Sequence, residues 1–439
     1  MKKILLIGSG AREHALARAI KKSTQECELY CFSNSTNPGI KLLTKIYQLG
    51  DLANIKLIGD FAVTHKIDFA VIGPEGPLEL GVADVLWANN IAVIGPKKSL
   101  AMIETSKKFT RDLLKKYNIS GNPEYQYFNN LNANLKEIEA YLEKLKNNYV
   151  IKADGLMGGK GVKVFGEHLN SDQEAIEFCQ ELINKKQSFV IERKHAGPEF
   201  SLISFSDGKN LIHMPLVQDH KRAYEDDTGP NTGGMGSVSF ESHALPFVSK
   251  ENLAAAQEIN QKSIEALYQE TGEYYIGFLY GGYMLTQQGV VLIEFNARLG
   301  DPEAINLLCL LESDFVSHCE AMINGCLDTE KVNFAPKATV CKYAVPHGYP
   351  DNPVKNKKID VGKVSNLENL FLAAVEELDG ELIATGSRAV AVLGMADNIR
   401  QAEQQAQNDI EKIEGDLFYR KDIGTQNLIN KKMNLLCEK

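Results

Sequence analysis

The sequence predicts a multidomain chain of α/β and α+β class: a doubly wound parallel sheet, then a strand-rich region, then a small α+β domain. Three observations predict it. A length of 439 residues exceeds what one hydrophobic core supports and points to about three or four domains. Over about the first hundred residues, short apolar strands alternate with helical stretches. From Phe189 onward strands dominate, and the last segment, from about Lys337, mixes short strands with one long helix.

Composition bounds the rest. At 44% hydrophobic and 24% charged, the chain is of ordinary globular type, with no apolar run of about 18 residues that could span a membrane. The start, MKKILLIGSG, is basic and apolar, but it turns at once into a glycine loop and is too short for a signal peptide, so the expected location is the cytoplasm. A net charge of −9 and a pI near 5.6 argue against nucleic acid as a bulk partner. An anionic substrate must therefore meet a local positive patch. Eight cysteines without a CxxC pair suit reduced core thiols better than a zinc site or a disulfide framework.

The first domain is expected over residues 1–105. KKILLIG reads as a buried strand, SGAREHALARAIKKS as a helix, and ELYCF, FAVIG and IAVIG as further strands separated by helices such as PLELGVADVLWANN. GSGAREHA is close to the dinucleotide fingerprint GxGxxG, with Gly8 and Gly10 in place, but Glu13 stands where the third glycine belongs. A carboxylate there competes with a pyrophosphate for the helix N-terminus, which weighs against an NAD(P)-dependent oxidoreductase. Arg12, Glu13 and His14 could still hold a smaller monophosphate and a sugar hydroxyl, or the loop could be a plain turn.

A second domain is expected over 106–188. The helix SKKFTRDLLKKYNIS leads through GNPEYQYF and the helical LKEIEAYLEKLKN to KADGLMGGKG, Lys152 to Gly161. Glycines that allow close approach, combined with mobile lysine charge, suit a phosphate. The loop fails the test for GxxxxGK followed by Ser or Thr, because Asp154 replaces the first glycine and Gly161 follows Lys160. Its flanks, YVI and VKVF, read as strands, so it is either a flap over a nucleotide or a flexible hairpin turn.

The third domain is expected over 189–335, with strands FVIERK, FSLISFS, GFLYGGYML and VVLIEFN. Strand alternation in VVLIEFNARLGDPE puts Glu294, Asn296 and Arg298 on one face and Ile293, Phe295 and Ala297 on the other. Two oxygen ligands and a forked cation suit magnesium and an anion. Asp301 and Glu303 follow on a turn. The polar QDHKRAYEDDTGPNTGGMGS, with Asp219, His220, Lys221 and Arg222, is either a disordered surface loop or an active-site cover. A small C-terminal domain is expected over 336–439.

Taken together, GSGAREHA, GPEGPL, KADGLMGGKGV, QDHKR, DTGPNTGGMG, GFLYGG, EFNARLGDPE and RKDIG resemble, in order, the glycinamide ribonucleotide synthetase family of the ATP-grasp superfamily. The resemblance runs from Met1 to Gly424. It implies an N-terminal α/β domain, a lid carrying the glycine-rich loop, a central antiparallel sheet and a C-terminal domain, with ATP between lid and sheet. By motif, Lys107, Lys152 and Lys160 would meet the ATP phosphates together with Gly158, Gly159 and Gly161. Glu192 and Lys194 would form the adenine-facing hinge, and Glu199 would reach the ribose. Glu294 and Asn296 would bind Mg2+ or Mn2+. Arg298 would bind the carboxyl substrate or its phosphate, with Lys221 and Asp219 as further catalytic groups.

The implied small-molecule partners are glycine and 5-phosphoribosylamine, the latter held by Gly10, Arg12, Glu13, Glu75, Asp301 and Glu303. The implied reaction makes a glycyl phosphate from ATP and glycine, which the amine then attacks. A superfamily ligase for a different carboxylate and amine is the alternative. Neither nucleic acid nor membrane is an expected partner, and a monomer or weak homodimer is expected. Departures from the family pattern are Ile305 shortly after DPE and, in the last domain, FLAAV and TGSRAV. They bear on recognition of the amine.

Overall fold

The computed structural model describes residues 1–158 and 161–435. Its first sheet is parallel and five-stranded, in the order Ile46–Leu49, Cys27–Ser33, Lys2–Ile7, Phe69–Ile72 and Ala92–Ile94. A parallel sheet is covered on both faces, so its central strand must be apolar throughout, and Ile4 to Ile7 are fully buried. From Lys2–Ile7 the chain winds first to one side and then to the other. That reversal opens a crevice at the C-terminal end of this strand, where Gly8 to Gly10 lie. The stretch PLELGVADVLWANN forms two helices, Glu75–Leu80 and Val82–Ala88, because Gly81 between them has φ 90°, a conformation costly for other residues.

The lid is an antiparallel sheet ordered Tyr125–Phe128, Phe189–Arg193, Tyr149–Ala153, Val162–Val164. Helices Leu135–Leu145 and Asp172–Asn184 close its own core around Phe128, Ile138, Tyr149 and Phe189. Sequence places Phe189–Arg193 at the head of the central sheet. In the structure its ladders run to the lid, since Phe189 and Ile191 complete the lid core. The glycine-rich loop is the connection of the Tyr149–Ala153 and Val162–Val164 hairpin, with Lys152 paired to Val162.

The central sheet runs Leu211–His213, Glu199–Asp207, Ile276–Thr286, Gly289–Asn296, all antiparallel. The helix Lys250–Thr271 packs on it through Asn260, whose Oδ1 accepts from Tyr283 Oη at 2.5 Å. A further sheet joins Gln218–Asp219 and Gly236–Ser239 to the C-terminal strands Ala338–Pro346, Val390–Ala396 and Leu370–Leu372. The polar segment between Gln218 and Ser239 is thus ordered: Arg222–Tyr224 pairs with Thr228–Asn231 inside the Gln218–Asp219 and Gly236–Ser239 pair. Buried Met235 and Val238 supply the anchors that its polar composition conceals. The C-terminal strands therefore extend a sheet that begins in the preceding region. Among the described residues no helix is long and apolar enough to cross a membrane.

Candidate active site

The helix Lys107–Lys116 starts where Ser106 Oγ accepts from Phe109 N–H at 3.1 Å, a cap of the kind worth about 1 kcal/mol. Its exposed N–H groups hold the lid loop. Asp154 accepts from Lys107 N–H at 2.7 Å, so the carboxylate that spoils the phosphate-loop pattern anchors the loop to a helix N-terminus. Lys107 Nζ donates to the Gly155 carbonyl at 2.9 Å. Burial lowers the pKa of this ammonium, opposed first by nearby Glu294.

Lys152 lies beside it, buried, with Nζ 2.7 Å from Glu192 Oε2 and 3.2 Å from the Ile293 carbonyl it donates to. Glu192 also receives Arg111 in a fork, Nε at 2.7 Å and Nη2 at 3.0 Å. Burial alone would raise this carboxyl, but Arg111 and Lys152 override it and bring the pKa to about 2. The Glu192 side chain, expected at the adenine hinge, is therefore committed to two cations. Lys194 Nζ donates to the Phe165 carbonyl at 2.8 Å, within the lid. Gly158 has φ 55° and Gly161, just before the return strand, accepts from Ala153 N–H at 2.8 Å, whereas Gly159 and Lys160 lie outside the described residues.

Glu199, Ser201, Tyr280 and Glu294 of the central sheet line one cleft together with Asp219 and Lys221 from the segment beside it. Lys221 Nζ stands 3.4 Å from Glu199 Oε2 and 3.9 Å from Asp219 Oδ2. Burial raises the Asp219 pKa against the pull of Lys221, and Glu303, Glu199 and Glu294 raise it further. Lys221 keeps its proton, because Asp219 foremost outweighs burial. Glu294 turns its carboxylate into the cleft and makes no hydrogen bond or ion pair with the described residues. Its surroundings disfavour the charge, yet Lys221, Lys152, Lys107 and Arg298 together hold its pKa below the usual range.

Glu294 lies opposite Gly282 and Asn296 opposite Tyr280, two positions apart on one face. Among the described residues no group of three or more His, Cys, Asp or Glu side chains could hold a metal. A divalent ion at Glu294 and Asn296 would thus have two protein oxygens, a donor set that fits a hard cation sharing its shell with phosphate and water. The alternation expected along this strand is interrupted. A bulge between Gly282 and Tyr283 leaves Ile293 unpaired, so Leu292, not Ile293, shares the core with Phe295 and Ala297. The Ile293 carbonyl is then met by Lys152 and Arg111.

Arg298 closes the other end of the cleft. Its Nε donates to Glu75 Oε2 at 3.2 Å, its Nη1 to the Leu299 carbonyl, and its Nη2 lies 3.2 Å from Glu104 Oε1. Glu104 also accepts from Ala297 N–H at 2.7 Å. For Glu75, burial works upward while Arg298 and Arg12 win, bringing the pKa to about 2.

In the N-terminal loop, Glu13 Oε2 accepts from Gly10 N–H at 2.5 Å and Oε1 from Arg12 Nε at 2.6 Å. A Cβ on Gly73 would lie 1.9 Å from Glu13 Oε1, so the carboxylate fills its own slot at the helix N-terminus. That place is closed to a pyrophosphate. His14, whose pKa burial and then Arg18 lower to about 3, is neutral and accepts from Leu372 N–H at 3.0 Å. Asp301 accepts from Tyr343 Oη at 2.5 Å and stands 3.3 Å from Arg388 Nη2, with Oδ2 facing Gly10. Glu303 is buried beneath the cleft, accepting from Tyr280 Oη at 2.9 Å.

The structure thus gathers Lys107, Lys152, Lys221, Glu294 and Arg298 and brings Gly10, Arg12, Glu75 and Asp301 to the adjoining crevice. Glu13 and Glu303 serve as inner supports. Arg111, Glu104 and Arg388 are additions that motif reading misses. The available signal was a charge on an apolar helix face: Arg111 precedes buried Leu114 by three residues, and Glu104 follows buried Leu100 by four.

Comparison with known proteins bears on this geometry. Sequence models of phosphoribosylglycinamide synthetase match the chain in three parts, the N domain at residues 2–104, the ATP-grasp (A) domain at 105–304 and the C domain at 339–426. The phosphoribosylamine–glycine ligase of Methanosarcina barkeri is 47% identical over 436 residues, covering 99% of each chain. That of Methanocaldococcus jannaschii is 45% identical over 445 residues, again covering 99% of each. Among solved structures, the phosphoribosylamine–glycine ligase of Thermotoga maritima has a TM-score of 0.80 at 29% identity, covering 96% of this chain and 99% of its own.

Proposed function

The chain belongs to the phosphoribosylglycinamide synthetase family, and from that premise we propose that its cleft joins glycine to 5-phosphoribosylamine at the expense of ATP, yielding glycinamide ribonucleotide, ADP and phosphate. One observation carries the assignment of the cleft: the Glu294 carboxylate, without a direct partner among the described residues, lies among Lys107, Lys152, Lys221 and Arg298 from four separate segments. Cations from four segments around one open carboxylate fit a metal–polyphosphate, which needs both neutralisation and an oxygen ligand.

A carboxylate resists direct attack by an amine, because an oxide is a poor leaving group. Transfer of the γ-phosphoryl group to glycine provides a better one, and the amine then displaces phosphate. The chain supplies no nucleophile for this; it orients anions and offsets their charge. Lys107 and Lys152 face the phosphates, with Gly158 and Gly161 of the lid loop; the motif assigns Gly159 and Lys160, outside the described residues, to the same group. Glu199 and Lys194 lie on the nucleoside side. Glu294 and Asn296 would hold Mg2+ or Mn2+, which when bound neutralises phosphate oxygens.

Arg298 makes two hydrogen bonds, to Glu75 and the Leu299 carbonyl, and an ion pair with Glu104, and its remaining N–H donors are assigned to the glycine carboxylate or its phosphate. Lys221, held charged beside Asp219, offsets charge at the transferring group. Gly10, Arg12, Glu75 and Asp301 line the crevice for the amine substrate. The test is phosphate release from ATP and glycine, with and without freshly made phosphoribosylamine. Release that requires all three supports the reading; release with a different carboxylate and amine, and none with these, refutes it.

A further inference from the structure

Arg111 joins its own helix to the lid and to the central sheet. It lies on the helix Lys107–Lys116 and is 2% exposed. Its Nε and Nη2 hold both oxygens of Glu192 on a lid strand. Its Nη1 donates to the Leu292 carbonyl at 3.1 Å, and Nη2 also donates to the Ile293 carbonyl at 2.7 Å, at the bulge beside Glu294. Lys152 binds the same two acceptors, Glu192 Oε2 and the Ile293 carbonyl. Lid lysine, lid carboxylate and metal-side strand are therefore tied through one planar guanidinium.

We infer that Arg111 is a positioning residue for the ligase reaction: by fixing Glu192 and the Ile293 carbonyl in one plane, it sets Lys152 against Glu294. A bulge frees the Ile293 carbonyl from the sheet ladder, and the two cations satisfy it instead. Four of the five guanidinium N–H donors are used in a geometry that a lysine, a single point with three donors, does not reproduce. Lysine at this position would still neutralise Glu192 but would release the strand carbonyls.

The inference rests on the reading that Lys152 meets the ATP phosphates, and the test separates the two. Arg111→Lys, Lys152→Met and the double variant are compared by kcat, KM for ATP and for glycine, and melting temperature. Arg111→Lys is expected to melt within a few degrees of the parent, to lose about tenfold in kcat with KM for glycine unchanged, and to add little to the loss already caused by Lys152→Met, because both act through one lysine. Parental kcat in Arg111→Lys, or losses that multiply in the double variant, would overturn the positioning role. Parental activity in Lys152→Met would instead overturn the phosphate reading. Should Arg111→Lys melt far below the parent, Arg111→Ala with added guanidinium decides: kcat restored without a matching rise in melting temperature supports positioning, and a parallel rise in both contradicts it.

Discussion

At Glu294, the proposed metal role and stability should separate. The carboxylate makes no hydrogen bond or ion pair with the described residues, so Glu294→Gln should keep the fold while removing charge from the cleft. Loss of one well-placed electrostatic contact costs on the order of 3 kcal/mol in the barrier, about a hundredfold in rate. Glu294→Gln should melt within a few degrees of the parent yet lose about a hundredfold in turnover, partly recovered by raised Mg2+ or Mn2+; full activity at low metal would remove the metal assignment. Arg12 behaves differently, being buried against Glu13 and the Leu299 carbonyl. Arg12→Ala should raise KM for phosphoribosylamine with KM for ATP nearly unchanged, and should also cost about 1–3 kcal/mol of stability by leaving Glu13 short of a partner. Glu192 gives a pH signature. Its folded pKa of about 2 lies below the ordinary 4.5, so its stabilisation is complete above 4.5 and is lost as pH falls toward 2. The melting-temperature gap between parent and Glu192→Gln should therefore narrow from pH 4.5 downward, and a constant gap would contradict this origin. These roles were only half legible in the sequence. Motif order singled out Glu294 and Lys152, whose proposed roles remain to be measured, but nothing local distinguishes Glu13, turned inward as a helix cap, from a ligand at the same loop.

Among elements, those legible from sequence are the ones whose partners lie nearby or whose environment is uniform. Lys2–Ile7 was readable because a strand buried on both faces must be apolar throughout. The hairpin around the glycine-rich loop was readable from two β-branched flanks. Phe189–Arg193 was misassigned because its partners include Tyr125–Phe128, some sixty residues back, and pairing over that distance leaves no local trace. The Ile293 bulge was invisible for a related reason: strict alternation is the only rule a single strand supplies, and a bulge is defined by its neighbour. The C-terminal helix Gln426–Asn434 makes an element-scale prediction. Lys432 Nζ sits 2.6 Å from Asp227 Oδ2, and Arg420 ties Asp227 to Asp422, so this end of the chain clamps the turn behind Lys221. Lys432→Met should speed amide exchange within residues 222–231 while leaving the lid core protected; unchanged exchange there would show that the clamp carries no stability.

At the scale of the whole molecule, the cleft exists because separate units converge. The parallel sheet presents Gly10 and Glu75, the lid presents Lys152 over its own core, and the central sheet presents Glu294 and Arg298. The C-terminal domain reaches back through Leu372 on one of its strands to His14, and through Arg388, just before the strand Val390–Ala396, to Asp301. Domain order was legible from the sequence, whereas these returns across the chain were not, because they pair groups more than eighty residues apart. Phosphorylation of glycine in this cleft should precede attack by the amine. Glycine labelled with 18O in its carboxylate tests it most directly, in a reaction with ATP and freshly made phosphoribosylamine. The carboxylate oxygen that attacks phosphorus leaves with it, so each phosphate released should carry one labelled oxygen, in step with ADP and glycinamide ribonucleotide. Product formed with unlabelled phosphate would contradict it.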